Sequence, residues 1–402
     1  CRHQLVLTEL CLSVQKEHVM KFEESDALYQ DPFHFLDLAL AAGSQSMEFP
    51  GRSLYLASVE DAKVVLANKE NWYSEHSDFF NTRHGYFGPR TRQIDISRAA
   101  IKLLHGHYVK QKNNLRVLVH NLAGKSSAWP DSGNVLFYQF FKEALICDPL
   151  KSRTHHFMDA IVQRSVLSGA RAKYSFLQRT IFRFKALRAF KAEIQARRKH
   201  PRPERDVLDA IIQQCDVSVT ASDITEIFLS FLFAISGSVG FALSWSLYLQ
   251  GNADRRDIEN KEWIVLEALR LWPVAWNLAR QPKIAHTLPS GLEVTTDDMI
   301  IACPYASQRN PAEWHNAAEF KPERWQDADL RRSLIAFGWG EHKCVAANLS
   351  LQIVTEVLSL LDAFELEYHI TTERPMAQPA LAPPTFNVAI SIKSADGISD
   401  VA

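Results

Sequence analysis

Apolar residues recur at helical spacing over most of the chain and alternate only in brief runs, which predicts a mainly α protein with minor β. Leu54–Tyr55–Leu56–Ala57–Ser58 reads as a short strand. A helix follows from Val59 to about Asn68, with Ala62, Val65 and Leu66 on one face. Residues 73–100, rich in aromatics, Gly, Pro and Arg, read as a long loop carrying short helices, and long loops in compact domains are often functional. Residues 175–198 form a basic amphipathic helix, ended by His200–Pro201–Arg202–Pro203; its cations read as a solvated face. No charge interrupts Ile227 to Ala253. Ser222 and Asp223 supply an N-cap for this segment and Gly251 a stop. Its length would span a bilayer, but Ser230, Ser236, Ser238, Ser244 and Ser246 dilute it, and a buried central helix fits better. Strand-like runs recur near Met299–Ala302 and Val388–Ile392, and Val345–Leu361 reads as a helix.

Composition narrows the classes. With 402 residues, 47% hydrophobic and 23% charged, the chain builds its own core, and residues 1–402 are read as one domain. A net charge of −1 argues against whole-chain attraction to nucleic acid, and none is expected as a partner. The six cysteines, Cys1, Cys11, Cys147, Cys215, Cys303 and Cys344, show neither a C-x-x-C pair nor zinc-like spacing. A reducing compartment therefore fits, and the expectation is a soluble, cytoplasmic protein. The charges of residues 1–20 interrupt any signal or anchor there, leaving open an anchor that has been removed.

One cysteine stands apart. In Phe337–Gly338–Trp339–Gly340–Glu341–His342–Lys343–Cys344–Val345–Ala346, two glycines permit a tight loop that can approach a flat ligand. Lys343 and His342 beside the sulfur, and the helix after it, favour the thiolate. Such a thiolate suits haem iron. The stretch resembles the haem-binding signature of the cytochrome P-450 family, Phe-x-x-Gly-x-x-x-Cys-x-Gly, with Ala346 in place of the last glycine. Two further motifs stand in the family's order: Glu267–Ala268–Leu269–Arg270, with Glu-x-x-Arg spacing, and Phe320–Lys321–Pro322–Glu323–Arg324–Trp325. The resemblance runs from about Leu54 to Lys393 and is most specific over 263–350. The connection between Leu249 and Glu262 is shorter than the family's usual one.

The resemblance implies a P-450-like fold with haem b (iron protoporphyrin IX) between the central helix and the cysteine-loop helix. Cys344 would ligate the iron, with no other metal expected, and Phe337, Gly338 and Ala346 would shape the haem contact. Arg280, His342 and His107 match residues that meet the propionates; His107 reads equally well as a surface helix histidine. Glu267, Arg270 and Arg324 would form a structural triad. Where relatives carry an acid and then an alcohol for proton delivery, this chain has Gly237 and Ser238, so dioxygen use by the missing carboxylate's route is in question. Phe233, Ala234, Val274, Trp276, Phe386 and the aromatic loop would wall a largely apolar substrate pocket.

These features lead to a haem-thiolate monooxygenase acting with dioxygen on a hydrophobic or aromatic small molecule in specialised biosynthesis. A separate ferredoxin or flavodoxin-like protein, with its reductase, would supply electrons, because the chain has no flavin or iron–sulfur segment. Lys110, Lys112, Arg331, Arg332 and Lys343 would form the basic face that meets it. The alternatives are oxidative coupling, ring closure or peroxide rearrangement, motivated by Gly237, or a non-catalytic haem-binding or gas-sensing protein.

Overall fold

The computed structural model describes residues 19–74, 78–147, 153–167, 174–255, 257–370, 375 and 377–393. The N-terminal stretch, with Cys1 and Cys11, lies outside the described residues. Contacts group the chain into two compact units, one drawn from Cys1–His76, Leu269–Cys344 and Met376–Leu381, the other from Ser77–Ala268, Val345–Pro375 and Ala382–Ala402.

The first unit is built on a five-stranded sheet in the order Val19–Lys21, Ser46–Phe49, Ser53–Leu56, Met299–Ala302, Leu278–Arg280. Met299–Ala302 pairs parallel to Ser53–Leu56, with Ile300 opposite Leu54, and antiparallel to Leu278–Arg280. Parallel pairing between such distant segments leaves these strands apolar and covered, and Leu54, Leu56, Val65, Tyr73 and Ile300 form one buried cluster. The helix Val59–Ala67 begins where Ser58 accepts from the Asp61 amide and ends at Asn68 in the left-handed region. Both limits match the sequence expectation.

The second unit is mostly helical, with an antiparallel sheet in the order Phe364–His369, Phe386–Ile392, Lys125–Trp129. The central helix runs as Ala221–Phe233, a π-helical turn Ala234–Ser238, and Val239–Asn252. Its N-cap is Thr220, whose hydroxyl accepts from the Asp223 amide at 3.1 Å, rather than Ser222 or Asp223. Among the described residues it is the one helix long and apolar enough to cross a membrane, and 56% of its most apolar window is buried within the fold.

Two other expectations need correction. Residues 90–100 are not loop but the first half of a helix, Arg90–Lys110. Polar and basic residues hide its apolar line, yet Ile96, Ala100, Leu104 and Tyr108 recur every fourth position and are buried. The basic helix, Phe176–Lys199, is present and opens with a Ser175–Gln178 capping box, but its cations are not all solvated. Arg197 is buried and pairs with Asp206 at 2.7 Å and Asp209 at 2.8 Å, as a buried guanidinium requires.

Candidate functional site

The cysteine loop belongs to the first unit. The Gly338 amide donates to the Ile335 carbonyl (2.8 Å), Lys343 to Gly340 (3.1 Å) and Cys344 to Phe337 (2.8 Å), folding the segment back on itself. Gly338 and Gly340 have φ of 74° and 70°, in the region that disfavours side chains. A Cβ on Gly340 would also lie 2.6 Å from the Ala67 Cα, so the end of the Val59–Ala67 helix reserves that position for glycine. Lys63 stands over the Trp339 ring at 4.5 Å. The result is an exposed Cys344. Cys303, by contrast, is fully buried, and burial pushes its thiol up to about 12.

Behind the loop lies a brace whose key residue sequence reasoning missed. Arg270, fully buried, donates to the carbonyls of Gln308 (2.8 Å), Ala317 (2.7 Å) and Glu319 (3.0 Å). Arg324 donates to those of His315 and Asn316, so the two arginines hold the same 308–319 segment. Gln308, also fully buried, takes the Ile335 amide on its carbonyl (2.8 Å) and gives its amide to Leu269 and Arg270. It links the arginine to the residue that starts the cysteine turn. No short motif marks a buried glutamine, so only tertiary placement reveals it. Glu267 is fully buried.

Arg280 ends the sheet's edge strand, buried, with Nη1 2.8 Å from the Ala279 carbonyl. Val274 is half-buried, and its carbonyl accepts from the Leu381 amide. Trp276 is packed away: its ring meets Phe33 at 4.9 Å and its Nε1 donates to the Gln378 carbonyl at 2.7 Å. His342 is half-buried in the loop.

In the second unit, the central helix is buried along most of its length, yet Phe233 is 40% exposed, and Ala234 and Ser238 are partly accessible. The π turn, marked by the Val239 amide bonding to the Ala234 carbonyl, brings these residues to one side; such bulges frequent functional sites. A Cβ on Gly237 would meet nothing within 4 Å. Ser236, Ser244 and Ser246 each donate to the carbonyl four residues back, at 2.6, 2.7 and 2.8 Å. Ser238 makes no such bond among the described residues, so its hydroxyl is available. Phe386 is buried against Trp129 and Tyr248. His107 places Nε2 2.7 Å from the Phe140 carbonyl, and burial lowers its pKa against the raising effect of that bond. Ala346 is the N-cap of Ala347–Leu361.

Within the first unit, the accessible Cys344 offers a soft thiolate for iron, and Arg280 and His342 are of the kind that meet carboxylates, so the residues present fit a haem-thiolate group. Residues 251–389 match the family model described as Cytochrome P450. The chain is 27% identical over 161 residues to a probable cytochrome P450 525A1 of Dictyostelium discoideum, covering 36% of this chain and 27% of that protein. It is 31% identical over 98 residues to an isoflavone 2'-hydroxylase of Medicago truncatula (24% and 20%). Against a sterol 14alpha-demethylase of Mycolicibacterium vanbaalenii it is 27% identical over 210 residues (44% of each). The chain thus spans less than half the length of these relatives. Its fold matches that of CYP175A1 from Thermus thermophilus with a TM-score of 0.69 at 19% identity, over 93% of this chain and 99% of that one. The cytochrome P450DA heme domain gives 0.70 at 16% identity, over 92% and 94%. Residues 251–389 thus carry the cytochrome P450 match, and the fold is the one found in solved cytochromes P450.

Proposed function

We propose that this protein is a haem-thiolate monooxygenase that oxidises a hydrophobic or aromatic small organic molecule in specialised biosynthesis. The observation that carries the reading is the exposed Cys344 at the end of a turn set by Gly338 and Gly340. Cys344 would hold the iron of haem b through its sulfur, and that group would supply the redox chemistry with dioxygen. The chain's own residues bind and orient. Arg280 and His342, with His107, are the candidates for the propionates. On the second unit, Phe233 and Ala234 offer accessible apolar surface to a substrate, in keeping with the apolar lining of ligand sites. Ser238, with an uncommitted hydroxyl, passes a proton from water. Electrons come from a separate ferredoxin or flavodoxin-like protein. The names of similar plant proteins, an isoflavone 2'-hydroxylase, a (+)-piperitol/(+)-sesamin synthase and an alkane hydroxylase, support the substrate class. A soluble, cytoplasmic protein is part of this proposal; the 56% burial of the central helix's most apolar window supports only the reading of that helix as core. A second reading, oxidative coupling or rearrangement, is favoured by Gly237, which leaves the proton path without a carboxylate.

The test is the ferrous carbon monoxide spectrum. The wild-type protein and Cys303→Ala should both show the strongly red-shifted Soret band of thiolate ligation, and Cys344→Ala should lose it. A band that survives in Cys344→Ala would overturn the reading. Soret shifts on adding candidate molecules would then identify what the pocket accepts.

A further inference from the structure

The segment before the Arg90–Lys110 helix makes a small structure of its own within the second unit. After a turn at Asp78–Phe80, Asn81–Thr82 pairs antiparallel with Gly85–Tyr86, and the Phe87 amide closes back on the Phe80 carbonyl at 2.9 Å. A two-stranded hairpin this short is not stable alone. What holds it is the first two turns of the central helix. Arg83 donates its backbone amide to Glu226 Oε2 at 2.9 Å, and its Nε lies 3.0 Å from Oε1 as an ion pair. His84 Nδ1 lies 2.8 Å from Asp223 Oδ1. Asp223 is steadied by Thr220, whose hydroxyl donates to its Oδ2 at 2.7 Å. Beneath the charges, Phe79 meets Phe231 edge-on at 4.8 Å.

Position matters here. Asp223, Glu226, Ser230 and then Phe233 and Ala234 follow one another at three- and four-residue steps, so they share one face of the helix. The π turn carries that face on to Ser238. The hairpin is therefore clamped to the N-terminal end of the same stripe whose C-terminal end is accessible. Both clamps are polar and partly exposed, with Arg83 and His84 side chains 51% and 65% accessible, so they are weak enough to open. We propose that Arg83 and His84, through Glu226 and Asp223, are positioning residues that determine specificity by holding the Phe79–Phe87 hairpin shut, so setting the size of molecule that reaches Ala234 and Ser238. This rests on the haem-thiolate reading, in which that face meets the substrate.

The haem-loaded protein tests it with three probes of increasing size: carbon monoxide, imidazole and clotrimazole. Arg83→Glu, which turns the ion pair into a repulsion, and Glu226→Lys, which also removes the acceptor of the residue-83 amide, should each speed clotrimazole association by about 5-fold, the scale of losing a partly exposed ion pair. Carbon monoxide and imidazole rates should not move. The double variant, with the charges exchanged, should return the clotrimazole rate toward the wild-type value. Hydrogen exchange of amides 82–86, measured without any azole, should quicken in the single variants and slow again in the double. Faster exchange with an unchanged clotrimazole rate would mean that the hairpin opens without guarding anything, and would overturn the proposal. An equal change for imidazole and clotrimazole would do the same. A wild-type protein with no thiolate-type carbon monoxide band would instead overturn the underlying reading, and the latch's role with it.

Discussion

Ser236, Ser244 and Ser246 give their hydroxyls to the central helix's own carbonyls, which is how a buried helix tolerates serine. Ser238 does not, and it stands next to the open space at Gly237. Ser238→Ala should lower product formed per electron consumed by about 100-fold, the low end of a lost proton-transfer group, with hydrogen peroxide rising to match. Gly237→Asp, whose Cβ would meet nothing within 4 Å, should raise that yield above wild type. Product, electrons and peroxide measured together decide both. A different residue carries a pH dependence. The Asp298 carboxyl is buried, which would raise its pKa, but bonds from the Thr295 amide and hydroxyl and the Arg52 guanidinium outweigh that and hold it below the usual carboxylate range. A depressed folded pKa stabilises the fold above the unfolded value, about 3.9, and loses that contribution as pH falls through the folded value. Thermal melts of wild type and Asp298→Asn should therefore differ near neutrality and converge in acid.

The elements differ in how openly the sequence declared them. Helices with clean apolar spacing and a cap, such as Val59–Ala67, were legible because local signals and tertiary burial agree. So was the cysteine loop, whose glycines answer to backbone geometry within the loop itself. The Arg90–Lys110 helix was obscured because its buried line is thin and set among cations. The buried pairing of Arg197 with Asp206 and Asp209 and the brace at Gln308 depend on partners far along the chain or beyond a turn, which no periodicity encodes. Phe386 and Trp276, expected at a pocket wall, are packed within their own units, since an aromatic's value to a core and to a pocket looks alike in sequence. Close helix packing is another such case. A Cβ on Gly240 would come within 2.9 Å of both the Cα and the amide nitrogen of Asn134, in the helix Asp131–Leu145. Gly240→Ala should cost about 1–3 kcal/mol, because backbone must move. Gly106→Ala, with nothing within 4 Å of the added carbon, should be neutral or stabilising by about 0.4–1 kcal/mol. Denaturant melts of the two variants make the comparison.

For the whole molecule, net charge is close to zero, so attraction of a donor protein must come from local patches. Lys110, Arg331, Arg332 and Lys343 are exposed, while Lys112 lies over the Tyr108 ring at 5.2 Å. If they receive an acidic ferredoxin or flavodoxin-like donor, reduction should slow as salt rises, and Lys112→Glu or Arg331→Glu should slow it further at low salt, because exposed charges act mainly on association. Stopped-flow reduction across ionic strength reads both effects; rates indifferent to salt and to both substitutions would remove the basic patch from the account. The chain's path has a consequence at the same scale. The strand Phe386–Ile392 is the middle of its sheet, joining Phe364–His369 to Lys125–Trp129, and the other sheet joins Ser53–Leu56 to Met299–Ala302. On a ribosome, Lys125–Trp129 would emerge more than 250 residues before its partner, and the uncharged stretch Ile227–Ala253 of the central helix would leave the exit tunnel before either sheet could close. Contacts this distant in sequence form slowly, and exposed apolar segments in the interval invite aggregation. Yield of this protein in a cell is thus set as much by what shelters the nascent chain as by the strength of the finished fold.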